Sequence, residues 1–228
     1  MQYIKIWRKC IAITVLLIPG TGYAVDLASV ESPGTEAALL IQRLETDLKL
    51  DQSISQARIN RVGLIILEPA NPALQAGLQI GALEIHQSDN PITAGLNLTG
   101  NYIGIMFRSN LYHGNHTAIR LDGGYTYNEV DKHTNDQVIN YDWHEFLLRA
   151  LFEWKFADFN MSLGGYTQII DGDETAFGVV TRTREFEQVD KTGARLEVDY
   201  RVDVTGKIGI QLDNGGRDAV ALIFAREF

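Results

Sequence analysis

The sequence predicts an all-β fold, a transmembrane antiparallel β-barrel of about ten strands, with eight possible. Three observations carry that expectation. Residues 1–24 have the form of an export signal. The rest of the chain is built from segments of ~10 residues with alternating polarity, the length a tilted strand needs to cross a bilayer. The chain closes on Ala219 to Phe228, where Val220, Leu222, Phe224 and Phe228 share one parity.

In the signal, Lys5, Arg8 and Lys9 precede a short apolar core from Cys10 to Ile18, and Gly22-Tyr23-Ala24 offers small residues at the cleavage positions. That core is far shorter than the ~20 residues of a spanning helix. Removing those three cations from the 20 Lys+Arg leaves 17 against 29 Asp+Glu, a net charge of −12. An acidic chain argues against nucleic acid as a partner. It fits a surface facing lipid, lipopolysaccharide and divalent cations. Cys10, the only cysteine, leaves with the signal, so the exported chain has neither a disulfide framework nor thiol chemistry.

Residues 25–46 read as a periplasmic leader. Ala37, Leu40, Ile41 and Leu44 within it, and Leu48 just beyond, follow helical spacing, which predicts a short amphipathic helix over about 36–46. From residue 47 the period becomes two, and the barrel is expected to span 47–228. Leu48, Leu50 and Ile54 alternate with charged and polar residues. Residues 58–68 form an apolar strand closed by Pro69-Ala70-Asn71-Pro72. Strands follow at about 74–86, 93–108 and 117–128, where Ile119, Leu121, Tyr125 and Tyr127 oppose Arg120, Asp122, Gly124 and Thr126. The stretch 129–141 reads as a polar loop. Residues 142–156 and 159–170 form a hairpin about Ala157-Asp158, 171–183 reads as another loop, and one long strand is expected over 184–202. Residues 207–213 and 219–228 complete the count. If 47–55 were helical, the parity of the ends would require eight strands.

With the last strand ending in the periplasm, the turns at 157–158 and 203–206 are periplasmic, and 129–141 and 171–183 are external. Short turns inside and long loops outside is the usual asymmetry. Trp154, Phe156 and Phe159 then form one aromatic girdle, and Tyr125, Tyr127, Tyr141 and Trp143 the other. Arg226 falls on the lipid-facing parity, near enough to the interface to snorkel.

Gly193-Ala194-Arg195-Leu196, Tyr200-Arg201 and the closing strand after Gly215-Gly216-Arg217-Asp218 resemble the YfaZ-type outer-membrane barrels, mainly over residues 142–228. The resemblance implies a membrane barrel of porin-like character and supplies no catalytic residues. Leu222, Phe224 and Phe228 are the expected signal for the barrel assembly machinery.

The inward parity gathers Arg120, Asp122, Glu145, Arg149, Glu153, Lys155, Arg195, Glu197, Asp199 and Arg201. Charges removed from water need partners, so these five cations and five anions predict a lumen network, filling a narrow barrel or lining a narrow pore. No catalytic group, cofactor or metal is expected. His113-Gly114-Asn115-His116 lies in a turn without a third ligand. Asp171, Asp173 and Glu174 lack the spacing of a calcium loop. Asp142, His144 and Glu145 near the external rim keep open an outer-membrane enzyme acting on lipid or peptide, although His144 and Glu145 take opposite parities. The first expectation is a non-enzymatic barrel, structural or a narrow porin-like channel. A soluble periplasmic barrel binding an apolar ligand is the third reading.

Overall fold

The structure, a computed structural model, describes residues 34–228. The expected signal at 1–24 and the leader up to residue 33 lie outside the described residues. Eleven antiparallel strands form one sheet that closes on itself: β1 (Glu36–Leu50), β2 (Ser53–Asn71), β3 (Leu74–Gln87), β4 (Asn97–His113), β5 (Thr117–His133), β6 (Gln137–Phe156), β7 (Phe159–Gly178), β8 (Arg182–Gln188), β9 (Thr192–Arg201), β10 (Gly206–Gly215) and β11 (Asp218–Glu227). β11 returns to β1 with Phe224 opposite Leu39 and Leu222 opposite Ile41. No sheet edge stays open along that seam, as a spanning sheet requires, because lipid satisfies no backbone donor or acceptor.

The barrel is built in two storeys. In the lower one, next to residues 36 and 228, β7 pairs with β9, and ten strands make the ring. In the upper one β7 continues against β8, whose Phe186–Gln188 pair with Leu48–Leu50 of β1. β8 thus bridges over β9, β10 and β11, and eight strands close the upper ring.

The polarity of the wall inverts between the storeys. Below, the outward positions are oily: Leu39 and Ile41 on β1, Val62, Leu64 and Ile66 on β2, Leu78 and Ile80 on β3, Ile103 and Ile105 on β4 are all exposed. On β6 and β7 this face runs from Phe146 to Phe156 and from Phe159 to Ile169. Eleven tilted residues cover roughly 25 Å, the height of a lipid-facing band. Above, the outward positions are mostly charged or polar, with Ile54 and Phe177 near the top as exceptions: Arg43, Glu45, Asp47 and Lys49 continue β1, and Arg58 and Asn60 stand above Val62 on β2. There the apolar residues turn inward. Leu44, Leu48, Leu50, Ala57, Ile59, Leu83, Ile85, Leu98, Tyr102, Val130, Ile139, Tyr141, Trp143, Ile170 and Phe186 make one buried core, and all eight upper strands contribute to it.

Several sequence expectations are corrected here. Residues 36–46 are strand, not helix; they open β1, and the barrel starts at Glu36. The expected strand 47–55 is a hairpin turning at Asp51, whose φ is 55°. The stretches 129–141 and 171–183 are not loops. They are the tops of β5, β6, β7 and β8, joined by short turns, and they rise as hairpins whose inner face the core covers. The long strand expected over 184–202 is two strands, interrupted at 189–191. Tyr141 and Trp143 do not join an outer girdle; they are 0% and 1% exposed inside the upper core.

Candidate functional site: the lumen and its seal

Of the ten charged residues expected in the lumen, Arg120, Asp122, Glu145, Glu153, Arg195, Glu197 and Asp199 are buried on the inner wall. Arg149 is half-buried on the same face, Lys155 stands half-buried on the lowest turn of β6, and Arg201 is exposed at the mouth. Arg120 is the hub of the lower part: its guanidinium meets Glu153 at 2.5 Å, Glu197 at 2.9 Å and Asp122 at 3.0 Å. Six charged residues off the expected set complete the network: Glu36, Arg61, Arg108, Lys207, Asp213 and Arg217. Arg61 binds Glu145 at 2.5 Å. Arg217 bridges Asp213 at 2.6 Å and Glu145 at 3.7 Å, and Arg195 holds Asp213 at 2.9 Å. At the mouth Arg108 and Lys207 share Glu36, at 3.1 and 2.7 Å.

Each missed residue has its own reason. Arg61 is a lone charge on the inner parity of a strand that otherwise reads as apolar. Arg217 and Asp213 flank the β10–β11 turn and look like loop residues. Glu36 sits in the segment that mimics a helix. Arg61 was open to recognition once residues 58–68 were assigned to a strand, because a single arginine inside an apolar strand needs a buried partner.

Most charge at the inner wall is therefore paired in a low-dielectric space, which holds it in place; among the described residues Arg149 and Asp199 stand outside these ion pairs. Tyr102 reaches across Gly63 and Gly81, which have no side chain to stop it, and its ring lies 5.5 Å from the Arg61 guanidinium. It marks the boundary between the network and the apolar core above.

The core is pinned from its top. Residues 88–96 between β3 and β4 fold over the opening. The Asn90 amide donates to Gln87, to the Tyr141 hydroxyl and to Glu174, at 2.8, 2.7 and 2.6 Å. Glu174, 0% exposed, also accepts from Arg184 Nε at 2.6 Å and from the Tyr141 hydroxyl. Ile92 and Leu96 of the same segment pack on the apolar core.

Beneath the core lies a cavity lined by Glu36, Leu40, Ile65, Arg149 and Lys207 among others. Solvent reaches it from the Glu36 end, where Lys207 and Arg108 side chains are 34% and 22% exposed, against 4% for Glu145 deeper in. The upper storey stands between it and the other side.

On the outer wall just above the oily band, Tyr125, Tyr127 and His144 cluster, with the Tyr125 hydroxyl 2.5 Å from His144 Nδ1. One step higher, Glu129, Asp142, Asp173 and Glu185 stand directly opposite one another on four neighbouring strands. Burial and the neighbouring carboxylates push Asp142 and Asp173 above the ordinary carboxylate value. Asp142 and His144 share this outer face, while Glu145 points into the lumen; the rim trio is not assembled. His113 ends β4 and His116 lies in the following turn, both exposed. Among the described residues no group of three or more His, Cys, Asp or Glu side chains is arranged to hold a metal. Leu222, Phe224 and Phe228 all face outward and exposed on or beyond β11.

No family model and no curated protein matches this chain. Among solved structures, the translocator domain of the autotransporter NalP from Neisseria meningitidis matches with a TM-score of 0.50 at 9% identity, covering 89% of this chain and 91% of that one. The fold is that of the outer-membrane β-barrels. The outer-membrane protease OmpT from Escherichia coli also matches, with a TM-score of 0.47 at 10% identity, over 86% of this chain and 98% of that one. At these identities the likeness concerns the path of the backbone and carries no residue role across.

Proposed function

We propose that this chain is a non-enzymatic outer-membrane barrel that is closed to conduction, and that it anchors a water-facing β-turret on the cell exterior. The observation that carries the reading is the upper apolar core, to which all eight upper strands contribute. An eight-stranded ring has an interior that side chains fill, and here an aliphatic and aromatic core topped by the Glu174–Arg184–Asn90 cluster fills it, so hydrated ions meet a packed plug. The narrow porin-like channel, the other half of the sequence expectation, is disfavoured by that plug. The lower oily band fits acyl chains, with the termini in the periplasm and the turret outside. Outer-membrane lipid and lipopolysaccharide are the partners of the wall, and the barrel assembly machinery reads Leu222, Phe224 and Phe228. A rim hydrolase is disfavoured because the His144 ring is engaged by Tyr125 and Glu145 points away.

The test is reconstitution of the mature protein in planar bilayers. The closed barrel gives no unitary current steps at any holding voltage, while heat-modifiable migration on a gel reports that it is folded. Regular openings whose size scales with salt concentration overturn the reading.

A further inference from the structure

The lumen cavity has two unlike walls. One, from β1, β2, β4 and β11, is oily: Leu40, Ile65, Leu67, Met106 and Ile223 line it. The facing wall is ionic, and its charge is unevenly spread. At the deep end, under the seal, the guanidiniums of Arg61, Arg195 and Arg217 share two carboxylates, Glu145 and Asp213, and Arg149 adds a fourth cation. Nearer the mouth Glu36, Asp122, Glu153, Glu197 and Asp199 stand against Arg108, Arg120, Lys155, Arg201 and Lys207, in balance.

Arg149 is the group this arrangement leaves over. Among the described residues its side chain makes no ion pair and no hydrogen bond, and its Nε is shielded from solvent without a partner. Its two register neighbours are Asp122 on β5 and Tyr166 on β7. Asp122 is taken by Arg120 at 3.0 Å and Arg108 at 3.4 Å. The Tyr166 hydroxyl is engaged with the Arg217 backbone at 2.9 and 3.0 Å. A guanidinium nitrogen shielded from water without an acceptor is costly, and the planar fork suits a carboxylate or phosphate bidentately. An apolar cavity wall with a few convergent polar groups is the usual form of a small-molecule site.

We propose that the lumen is a blind binding site, entered from the Glu36–Lys207 mouth, for an amphipathic organic anion. The anionic head sits on Arg149, and an acyl or aryl body lies along Leu40, Ile65 and Met106. This goes beyond the closed-barrel reading, and the two fail separately: conductance reports the seal, and binding reports the cavity.

The test is equilibrium dialysis of radiolabelled octanoate against the folded protein in lipid nanodiscs, with empty nanodiscs as background. The expected result is saturable binding of one octanoate per barrel. Arg149→Gln weakens it at least ten-fold while the barrel keeps its heat-modifiable migration. Octanol, which has the body without the charge, binds wild type and variant alike. Inorganic phosphate, which has charge without the body, binds much more weakly than octanoate. A second variant, Ile65→Trp, fills the oily wall and blocks octanoate with Arg149 intact. Octanoate binding no greater than in empty nanodiscs, or unchanged in Arg149→Gln, overturns the proposal. So does phosphate binding as tight as octanoate.

Discussion

Glu174 is the residue on which the upper closure turns. It is fully buried, and its oxygens are held by Arg184, Asn90 and Tyr141. Removing one partner of such a pair strands the other charge, at about 3–5 kcal/mol. Arg184→Ala is therefore expected to destabilise the turret by about that much, seen as new protease cleavage near residues 179–191 at temperatures where wild type resists. Asp142 and Asp173, on the outer face above the oily band, show the opposite electrostatics. Their pKa values are raised above 3.8, mainly by burial and then by neighbouring carboxylates. A raised folded pKa means that the folded state binds more protons than the unfolded chain just above pH 3.8. Stability is then lost as pH rises through the folded values and regained on acidification. Asp173→Asn relieves Asp142 and Glu185 of a like charge directly opposite. The variant is expected to melt higher than wild type at pH 7 and to lose most of that advantage near pH 4, by thermal scans across that range.

At the scale of the element, β1 and β8 explain what the sequence made legible. The lower halves of β5, β6, β7, β9 and β10 alternate cleanly because each has lipid on one side and polar or charged residues on the other, and that pattern is readable without a structure. β1 was not readable because its oily face changes sides. Leu39 and Ile41 face lipid, whereas Leu44 and Leu48 face the upper core. The phase slip from 41 to 44 imitates the three-and-four spacing of a helix. The same inversion hides the tops of β5, β6 and β7, where acidic and polar residues on the water side look like loop. Nothing local marks β8 as the strand that crosses over to β1, since that pairing joins residues 48–50 to 186–188. The inward parity did yield seven buried members of the lumen network, because a charge on the inner face of a strand has one place to go. Phe186 tests the strap itself. It is 2% exposed and its ring stands 5.6 Å from Tyr141 and 6.5 Å from Trp143. Phe186→Ala is expected to cost about 3–5 kcal/mol and to open the eight-stranded ring. Hydrogen exchange should rise at 182–188 and 48–50 while β9, β10 and β11 stay protected.

For the whole molecule, the level at which polarity inverts fixes where the bilayer ends. On β2 that level falls between Asn60 and Val62, which sit two residues apart on the same outer face. A cation placed on the lipid face costs about 2–4 kcal/mol near the midplane and about 0–1 kcal/mol near the interface. Leu64, 55% exposed in the oily band, is therefore a sensitive position, and Gln56, in the charged storey, is not. Leu64→Arg is expected to lower the unfolding free energy in lipid vesicles by about 2–4 kcal/mol, and Gln56→Arg to leave it unchanged within error, both read from urea titrations followed by tryptophan fluorescence. The comparison separates a membrane barrel from a soluble one, because in water both positions are exposed and both arginines are tolerated. Equal, small effects at the two sites would return the chain to the soluble class. A large effect at both would carry the bilayer over the turret and leave Arg43, Arg58 and Glu84 in the hydrocarbon.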